Sequence, residues 1–106
     1  MTVSVIIVNY NTANFLKECI ESVNYYEKDV ELEFVIVDNS SDKKEEKIID
    51  SIISEIPCVR KIMLGKNYGF AYANNRGVES CNSEYILILN PDVMFTQNTF
   101  NKILDS

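Results

Sequence analysis

Four clusters of polar side chains follow apolar runs along the chain, and their amide, hydroxyl and carboxylate groups could hydrogen-bond a ligand. They are Asn9-Tyr10-Asn11, Asp38-Asn39-Ser40-Ser41, Gly65-Lys66-Asn67-Tyr68-Gly69 and Asn90-Pro91-Asp92. Each cluster alone is typical of a turn, because Asn, Asp, Ser and Gly cap helices and adopt turn conformations. Four such clusters after successive apolar runs favour one shared binding site.

The apolar runs before these clusters predict β-strands at residues 3–8, 33–37, 59–64 and 84–89, because they are short and rich in β-branched or aliphatic residues. Apolar residues at helical spacing predict the intervening helices. The first carries Phe15 and Leu16, with Thr12 or Asn14 as its cap, and the second begins at Ser41 or Asp42. The third spans about residues 69–80, and a last one begins at Thr96 or Asn98.

The predicted inward residues of the third helix are Phe70, Ala71, Ala73 and Val78. The charge run at residues 42–47 predicts a solvated helix face. Strands that alternate with helices predict an α/β fold with three layers, in which a mainly parallel four-stranded sheet of Rossmann-like type lies between helices. In such sheets ligands bind outside the carboxyl ends of the strands, which is where the four polar clusters fall.

Composition excludes several classes of function. The 106 residues suit one domain, and a net charge of −6 makes generic nucleic-acid binding unfavourable. The absence of His excludes Ser-His-Asp catalysis and imidazole zinc sites. Cys19, Cys58 and Cys81 have no CxxC spacing and predict reduced thiols, and Met1–Ser4 lacks the features of a signal peptide. We therefore expect a cytoplasmic protein.

Two nucleotide-related folds are disfavoured by the turns. The turn after the first strand contains no Gly, so the G-x-G-x-x-G of dinucleotide-binding domains is absent where it must occur. A phosphate-receiver domain requires an acidic pair after the first strand and an Asp after the third, where this chain has Asn9 and Gly65.

The four motifs in register resemble a known family. S-V-I-I-V-N-Y-N, V-I-V-D-N-S-S-D, N-Y-G-F-A-Y-A-N-N-R-G and Y-I-L-I-L-N-P-D-V are similar to the nucleotide-sugar-binding part of family-two glycosyltransferases with the GT-A fold. The rhamnosyltransferase-like branch, in which N-P-D-V replaces the commoner D-x-D, is the most similar. The resemblance implies that residues 1–106 form one N-terminal nucleotide-sugar-binding domain of a transferase for polysaccharide biosynthesis.

The resemblance also implies roles for individual residues. Asp38 would accept a hydrogen bond from a pyrimidine N–H, and Asp92 with Asn90 would bind Mg²⁺ or Mn²⁺ at the donor diphosphate. The remaining residues implied at the nucleotide-sugar donor are Asn9, Tyr10, Asn39, Ser40, Asn67, Gly69 and Asn75, while Gly77 suits close helix packing. Asn74 stands where many members carry Arg, and Asn90 replaces an acidic residue.

The resemblance finally implies what this chain lacks. The base that deprotonates an acceptor hydroxyl, on a saccharide or a lipid-linked acceptor, would lie beyond Ser106, so we expect a truncated domain that is inactive alone. A missing region would take the full-length enzyme to the inner face of the membrane. Residues 85–89 would then be an exposed apolar edge that favours self-association. The alternative function is a non-catalytic nucleotide-binding or protein-interaction module of the same fold.

Overall fold

The computed structural model describes residues 1–39 and 41–100 of the chain. Within them strands and helices alternate in the predicted order: β1 (Thr2–Asn9), α1 (Ala13–Tyr26), β2 (Glu31–Asp38), α2 (Lys43–Glu55), β3 (Val59–Met63), α3 (Phe70–Glu79) and β4 (Tyr85–Ile88). The last predicted helix falls mainly on residues 101–106, outside the described residues. Among the helices described, none has the length and apolar character needed to cross a membrane.

The strands form a parallel sheet in the order β3-β2-β1-β4. The chain moves from β1 outward to β3 and then returns to the other side of β1, so the strand order reverses between β1 and β4. Asn9 is the last residue of β1 and Asn90 lies just after β4, so the two flank the reversal point, where open α/β sheets bind ligands. The predicted parallel α/β architecture is confirmed.

Helices cover both faces of the sheet. Side chains alternate along a strand, so Val5 and Ile7 pack with α1 and α2 on one face, whereas Ile6 and Val8 pack on the other face with Ala73 of α3. The approach of α3 is close because residue 77 is Gly. A Cβ at this position would lie 2.6 Å from Ile6 Cγ2, which confirms the predicted role of Gly77 in helix packing.

The face that α3 buries agrees with the prediction at Ala73 and at half-buried Val78, but not at Phe70 and Ala71. Ala73, Asn74 and Gly77 are its buried residues, whereas Phe70 is 56% exposed and Ala71 is also exposed. Small residues define the contact because the backbone of α3 lies so near β1 that a large side chain has no room there. In α1, Phe15 is likewise 52% exposed, although its spacing placed it on the apolar face.

The strand β4 is an edge of the sheet, and its outer surface is apolar. Tyr85, Ile86 and Ile88 are 45%, 39% and 48% exposed. Ile86 and Ile88 pair with Ser4 and Ile6 of β1 and so point to the face that carries α3. Within the described residues, the predicted exposed apolar edge at 85–89 is found at these three positions, whereas Leu87 and Leu89 are half-buried against the core.

Candidate functional site

The side chain of Asn9 links the carboxyl ends of β1 and β2 to the start of α2. Its side chain is fully buried, and its Nδ2 donates to Asp38 Oδ1 at 3.0 Å, to Ser41 Oγ at 3.2 Å and to Glu45 Oε1 at 3.4 Å. Its Oδ1 accepts from the hydroxyl of Thr12 at 2.8 Å. One neutral amide thus separates two carboxylates and fixes the start of the β1–α1 turn.

Asp38 lies beside Asn9 because the two residues are partners in the parallel β1–β2 register. Its side chain is buried, and Oδ2 accepts from the backbone N–H of Ser41 at 3.1 Å. An ionised carboxylate has about four lone-pair sites. Asp38 therefore keeps acceptor capacity for a ligand N–H while the protein fixes its orientation.

Glu45 is a site residue that the sequence reasoning missed. It belongs to the charge run predicted to be solvated, but its side chain is buried and Oε1 accepts from the backbone N–H of Ala13 at 2.9 Å. Glu45 therefore caps α1, while Thr12 stands at the N-cap position without a side-chain cap bond. Of the two predicted residues, Thr12 is the N-cap residue, but the side-chain acceptor at the start of α1 comes from another helix.

The start of α2 carries a sequence signal from which Glu45 could have been found. Asp42 caps this helix by accepting from the backbone N–H of Lys44 at 3.2 Å, as predicted. Asp42-x-x-Glu45 is also the spacing of a capping box, in which the second acidic residue turns back toward the helix start. Here that residue reaches the neighbouring helix instead.

A second set of hydrogen bonds joins the end of β2 to the turn before α3. Asn39 Nδ2 donates to Asn67 Oδ1 at 3.0 Å, and Asn39 Oδ1 accepts from the backbone N–H of Tyr68 at 3.0 Å. Asn67 Oδ1 also accepts from the N–H of Gly69 at 2.8 Å, and Gly69 has a φ of +93°, which favours glycine. The fold thus brings together Asn39, Asn67 and Gly69.

Aromatic rings border these polar groups. Tyr10 is 50% exposed, and Tyr68 stacks on Tyr72 with ring centroids 4.6 Å apart. The ammonium of Lys66 lies 4.8 Å from the ring centroid of Tyr68. The site therefore offers exposed ring surface as well as hydrogen-bonding groups.

The Asn90–Asp92 turn follows β4 and therefore lies on the opposite side of β1 from β2. The turn is closed by a hydrogen bond from the N–H of Val93 to the carbonyl of Asn90 at 3.1 Å, and the side chains of Asn90 and Asp92 are exposed. The thiol of Cys19 lies 3.9 Å from that carbonyl. Burial, with the charge of Asp92 as a second cause, raises the pKa of Cys19 to about 11, so Cys19 is a protonated packing residue beside the turn.

The residues at this turn fit a divalent cation that takes most of its ligands from a bound phosphate and from water. In the described part of the chain, no group of three or more His, Cys, Asp or Glu side chains is arranged to hold a metal. Mg²⁺ is commonly bound by one or two carboxylates together with substrate phosphates and water. One exposed carboxylate at Asp92 beside the Asn90 amide suits that mode, in which the ligand supplies the remaining oxygens.

The two asparagines of α3 have opposite environments. Asn75, a predicted donor residue, is exposed, whereas Asn74 is buried and its Oδ1 has no hydrogen-bond partner among the described residues. Nothing in the spacing of the N-N pair distinguishes the two, because the buried face of α3 is decided by contact with the sheet. Ser40, another predicted donor residue, lies outside the described residues.

Comparison with known proteins identifies the family. Residues 4–106 match the family described as Glycosyl transferase family 2. The chain belongs to glycosyltransferase family 2. The match confirms the predicted family. Glycosyltransferase GlyG of Streptococcus pneumoniae serotype 4 is 30% identical over 98 residues, which are 91% of this chain and 32% of GlyG.

Solved structures confirm the GT-A-like fold of this family 2 chain. Mannosyltransferase PcManGT from Pyrobaculum calidifontis, in complex with GDP-Man and Mn²⁺, superposes with a TM-score of 0.81 at 22% identity, over 91% of this chain and 29% of that one. S. aureus TarS 1-349 in complex with UDP-GlcNAc gives a TM-score of 0.78 at 22% identity, over 99% and 30%. The chain therefore spans about a third of the length of these proteins.

Proposed function

We propose that residues 1–106 form one unit that binds a nucleotide-sugar donor at the carboxyl ends of β1, β2 and β4. The hydrogen-bonded cluster of Asn9, Asp38 and Glu45, next to the Asn39–Asn67 pair, carries the proposal. These groups are oriented by the protein before any ligand arrives, which lowers the entropy cost of binding.

Each polar residue of the predicted set has a role in this proposal. Asp38 accepts a hydrogen bond from a ring N–H of the base, and the exposed ring of Tyr10 packs beside the nucleoside. Asn39 and Asn67 hold the turn that borders the same pocket. Ser40, Gly69, Asn75 and Asn90 are the remaining donor-site residues of the proposal. GDP-Man and UDP-GlcNAc are the ligands of the two solved neighbours, which supports a nucleoside diphosphate sugar as the ligand class.

Asp92 and Asn90 would hold a Mg²⁺ or Mn²⁺ ion against the donor diphosphate. The cation supplies charge neutralisation for a nucleoside diphosphate leaving group. The exposed position of Asp92 leaves its carboxylate accessible to such an ion. The Mn²⁺ in the PcManGT complex supports the same choice of cation.

Calorimetry with UDP, dTDP and GDP, each with Mn²⁺ and with EDTA, tests the donor site. Asp38→Ala should weaken binding under both conditions, whereas Asp92→Ala should remove only the effect of Mn²⁺. Asp29→Ala is the matched control, because Asp29 is an exposed carboxylate in the α1–β2 turn, at the opposite end of the sheet. Absence of binding to all three nucleotides would refute the donor site and favour a protein-interaction module.

We further propose that the longer enzyme transfers the sugar to a hydroxyl of a saccharide or lipid-linked acceptor with inversion. A base must take the acceptor proton, and it stays a prediction that this base lies beyond Ser106. Three free thiols support a reducing, cytoplasmic compartment, and contact of the longer protein with the inner face of the membrane belongs to the same proposal.

The apolar edge at β4 supports self-association of the 106-residue chain. An edge strand offers unpaired backbone groups, and Tyr85, Ile86 and Ile88 add exposed apolar surface beside them. Light scattering over a concentration series should show dimers or larger species. The Ile88→Lys variant should remain monomeric at the same concentrations, while a wild-type chain that stays monomeric at about 100 µM contradicts the proposal.

A further inference from the structure

The segment that follows the Asn90–Asp92 turn runs back along one side of α1. The N–H of Phe95 donates to Ser22 Oγ at 2.9 Å, and Asn98 Nδ2 donates to the carbonyl oxygen of Tyr26 at 3.2 Å. Together with Cys19 beside the turn, Ser22 and Tyr26 lie on one face of the helix, since they are three and four positions apart. Residues 93–100, here called the return segment, therefore follow α1 for about two turns.

Glu27 holds the far end of the return segment. It directly follows α1 and is only 2% exposed, although it is a carboxylate. Its Oε1 accepts the backbone N–H groups of both Thr99 and Phe100, the latter at 3.0 Å. Phe100 is itself buried and contacts Phe95 edge to face, with ring centroids 5.5 Å apart. One side-chain oxygen of Glu27 thus satisfies two backbone donors of the return segment.

We propose that Glu27 is a positioning residue for Asp92, because it anchors the return segment on α1 and thereby fixes the Asn90–Asp92 turn over the carboxyl end of the sheet. The turn is held from two sides. Before it, the N–H of Leu89 extends the ladder to the carbonyl of Ile6 at 2.9 Å, and after it the return segment is bound to α1. This inference rests on the proposed role of Asp92 as a metal ligand.

The contact of Glu27 with Thr99 and Phe100, here called the anchor, should affect metal-dependent binding, which a contact that only stabilises the fold would not do. If the position of Asp92 depends on the return segment, then loosening the segment weakens only the part of donor affinity that requires the metal. The part set by Asp38 and Asn39 is unaffected, because those residues are held by Asn9 and Asn67. By linkage, binding of metal and nucleotide must also tighten the return segment.

Calorimetry on the full 106-residue chain tests the anchor. We define the metal factor as the affinity for the tightest-binding of UDP, dTDP and GDP in Mn²⁺, divided by its affinity in EDTA. Glu27→Ala should lower the metal factor about fivefold or more and leave the affinity in EDTA within about twofold. Glu27→Gln should keep most of the wild-type metal factor, because the Gln amide oxygen can still accept from the backbone N–H groups of Thr99 and Phe100. Glu18→Ala, an exposed change in α1, should have no effect.

The outcomes separate this inference from the function on which it rests. A wild-type metal factor that survives Glu27→Ala, or equal weakening with and without metal, overturns the anchor alone. No metal dependence in the wild type overturns the role of Asp92 and the anchor with it. If Glu27→Ala does not fold, amide hydrogen exchange on the wild type decides: Mn²⁺ with nucleotide should slow exchange at Thr99 and Phe100 more than nucleotide in EDTA, and unchanged rates overturn the anchor.

Discussion

Replacing Asn9 by Asp would put a third carboxylate between two that the amide now keeps apart. The Asn9 Nδ2 lies 3.0 Å from Asp38 Oδ1 and 3.4 Å from Glu45 Oε1. Two unit charges 3 Å apart repel by about 5 kcal/mol at an effective dielectric constant of about 20. Proton uptake limits this penalty, but the lost amide donors add to it, so we expect Asn9→Asp to lower the free energy of unfolding by about 3 kcal/mol at neutral pH.

The pH dependence of this loss follows from the same geometry. The neighbouring carboxylates raise the pKa of the introduced carboxyl in the folded state above its unfolded value. The folded variant then binds more protons than the unfolded chain between these two values, so its deficit is complete above the folded pKa and shrinks as the pH falls toward the ordinary Asp value of about 3.9. Urea unfolding of the variant and the wild type at about pH 7 and about pH 5 measures both quantities.

Asn11→Asp is the matched control. Asn11 has the same charge change two residues away, is exposed, and uses Oδ1 to accept from the N–H of Asp42 at 2.9 Å, a bond that a carboxylate keeps. We expect its effect to stay within about 0.5 kcal/mol. Equal stabilities of Asn9→Asp and wild type at both pH values would refute the view that Asn9 separates charged Asp38 and Glu45.

Three further predictions follow from the packing and the ionisable groups. Gly77→Ala should destabilise the fold by about 1 kcal/mol, since the clash with Ile6 outweighs a helix-propensity gain of about 1 kcal/mol, and lower the Tm by roughly 4–8 °C. Burial tends to raise the pKa of Glu33, but the Arg60 guanidinium at 2.6 Å and a serine hydroxyl outweigh the effect of burial and lower this pKa. The free energy of unfolding should therefore fall as the pH drops below the ordinary Glu pKa. The fall should be smaller in Glu33→Gln. Cys19, with its raised pKa, should be alkylated about tenfold more slowly than an exposed thiol.

Matched measurements decide each of these. The difference in unfolding free energy between Asn75→Ala and Asn75→Gly gives the helix-propensity term at an exposed position, where no contact with the sheet is made. If Gly77→Ala stabilises the protein by as much as this term, the close approach of α3 to β1 is contradicted. Acid unfolding that is identical in Glu33→Gln and wild type contradicts the pairing of Glu33. Mass spectrometry after iodoacetamide treatment compares Cys19 with half-buried Cys58 and Cys81, and equal rates contradict its burial.

The strands and the edge of the sheet at which the polar clusters meet were predictable because they depend on local patterns. Short β-branched runs alternating with helical spacing allow few arrangements other than a parallel sheet, and parallel strands bring their carboxyl ends to one edge. Asn9 and Asp38 are neighbours because β1 and β2 are adjacent and pair in this register. The family was recognisable for the same reason, because each of the four motifs is a continuous stretch of sequence.

What the tertiary structure alone decides is the direction in which individual polar side chains point. Glu45 turns inward from a charged run because the start of α1, 32 residues earlier, needs an acceptor. Asn74 rather than Asn75 is buried because the contact at Gly77 sets the rotation of α3. Glu27 meets Phe100 across 73 residues. Periodicity determines which face of an element is apolar, but bonds between distant elements form only where packing brings donors and acceptors together, so these three assignments required the folded chain.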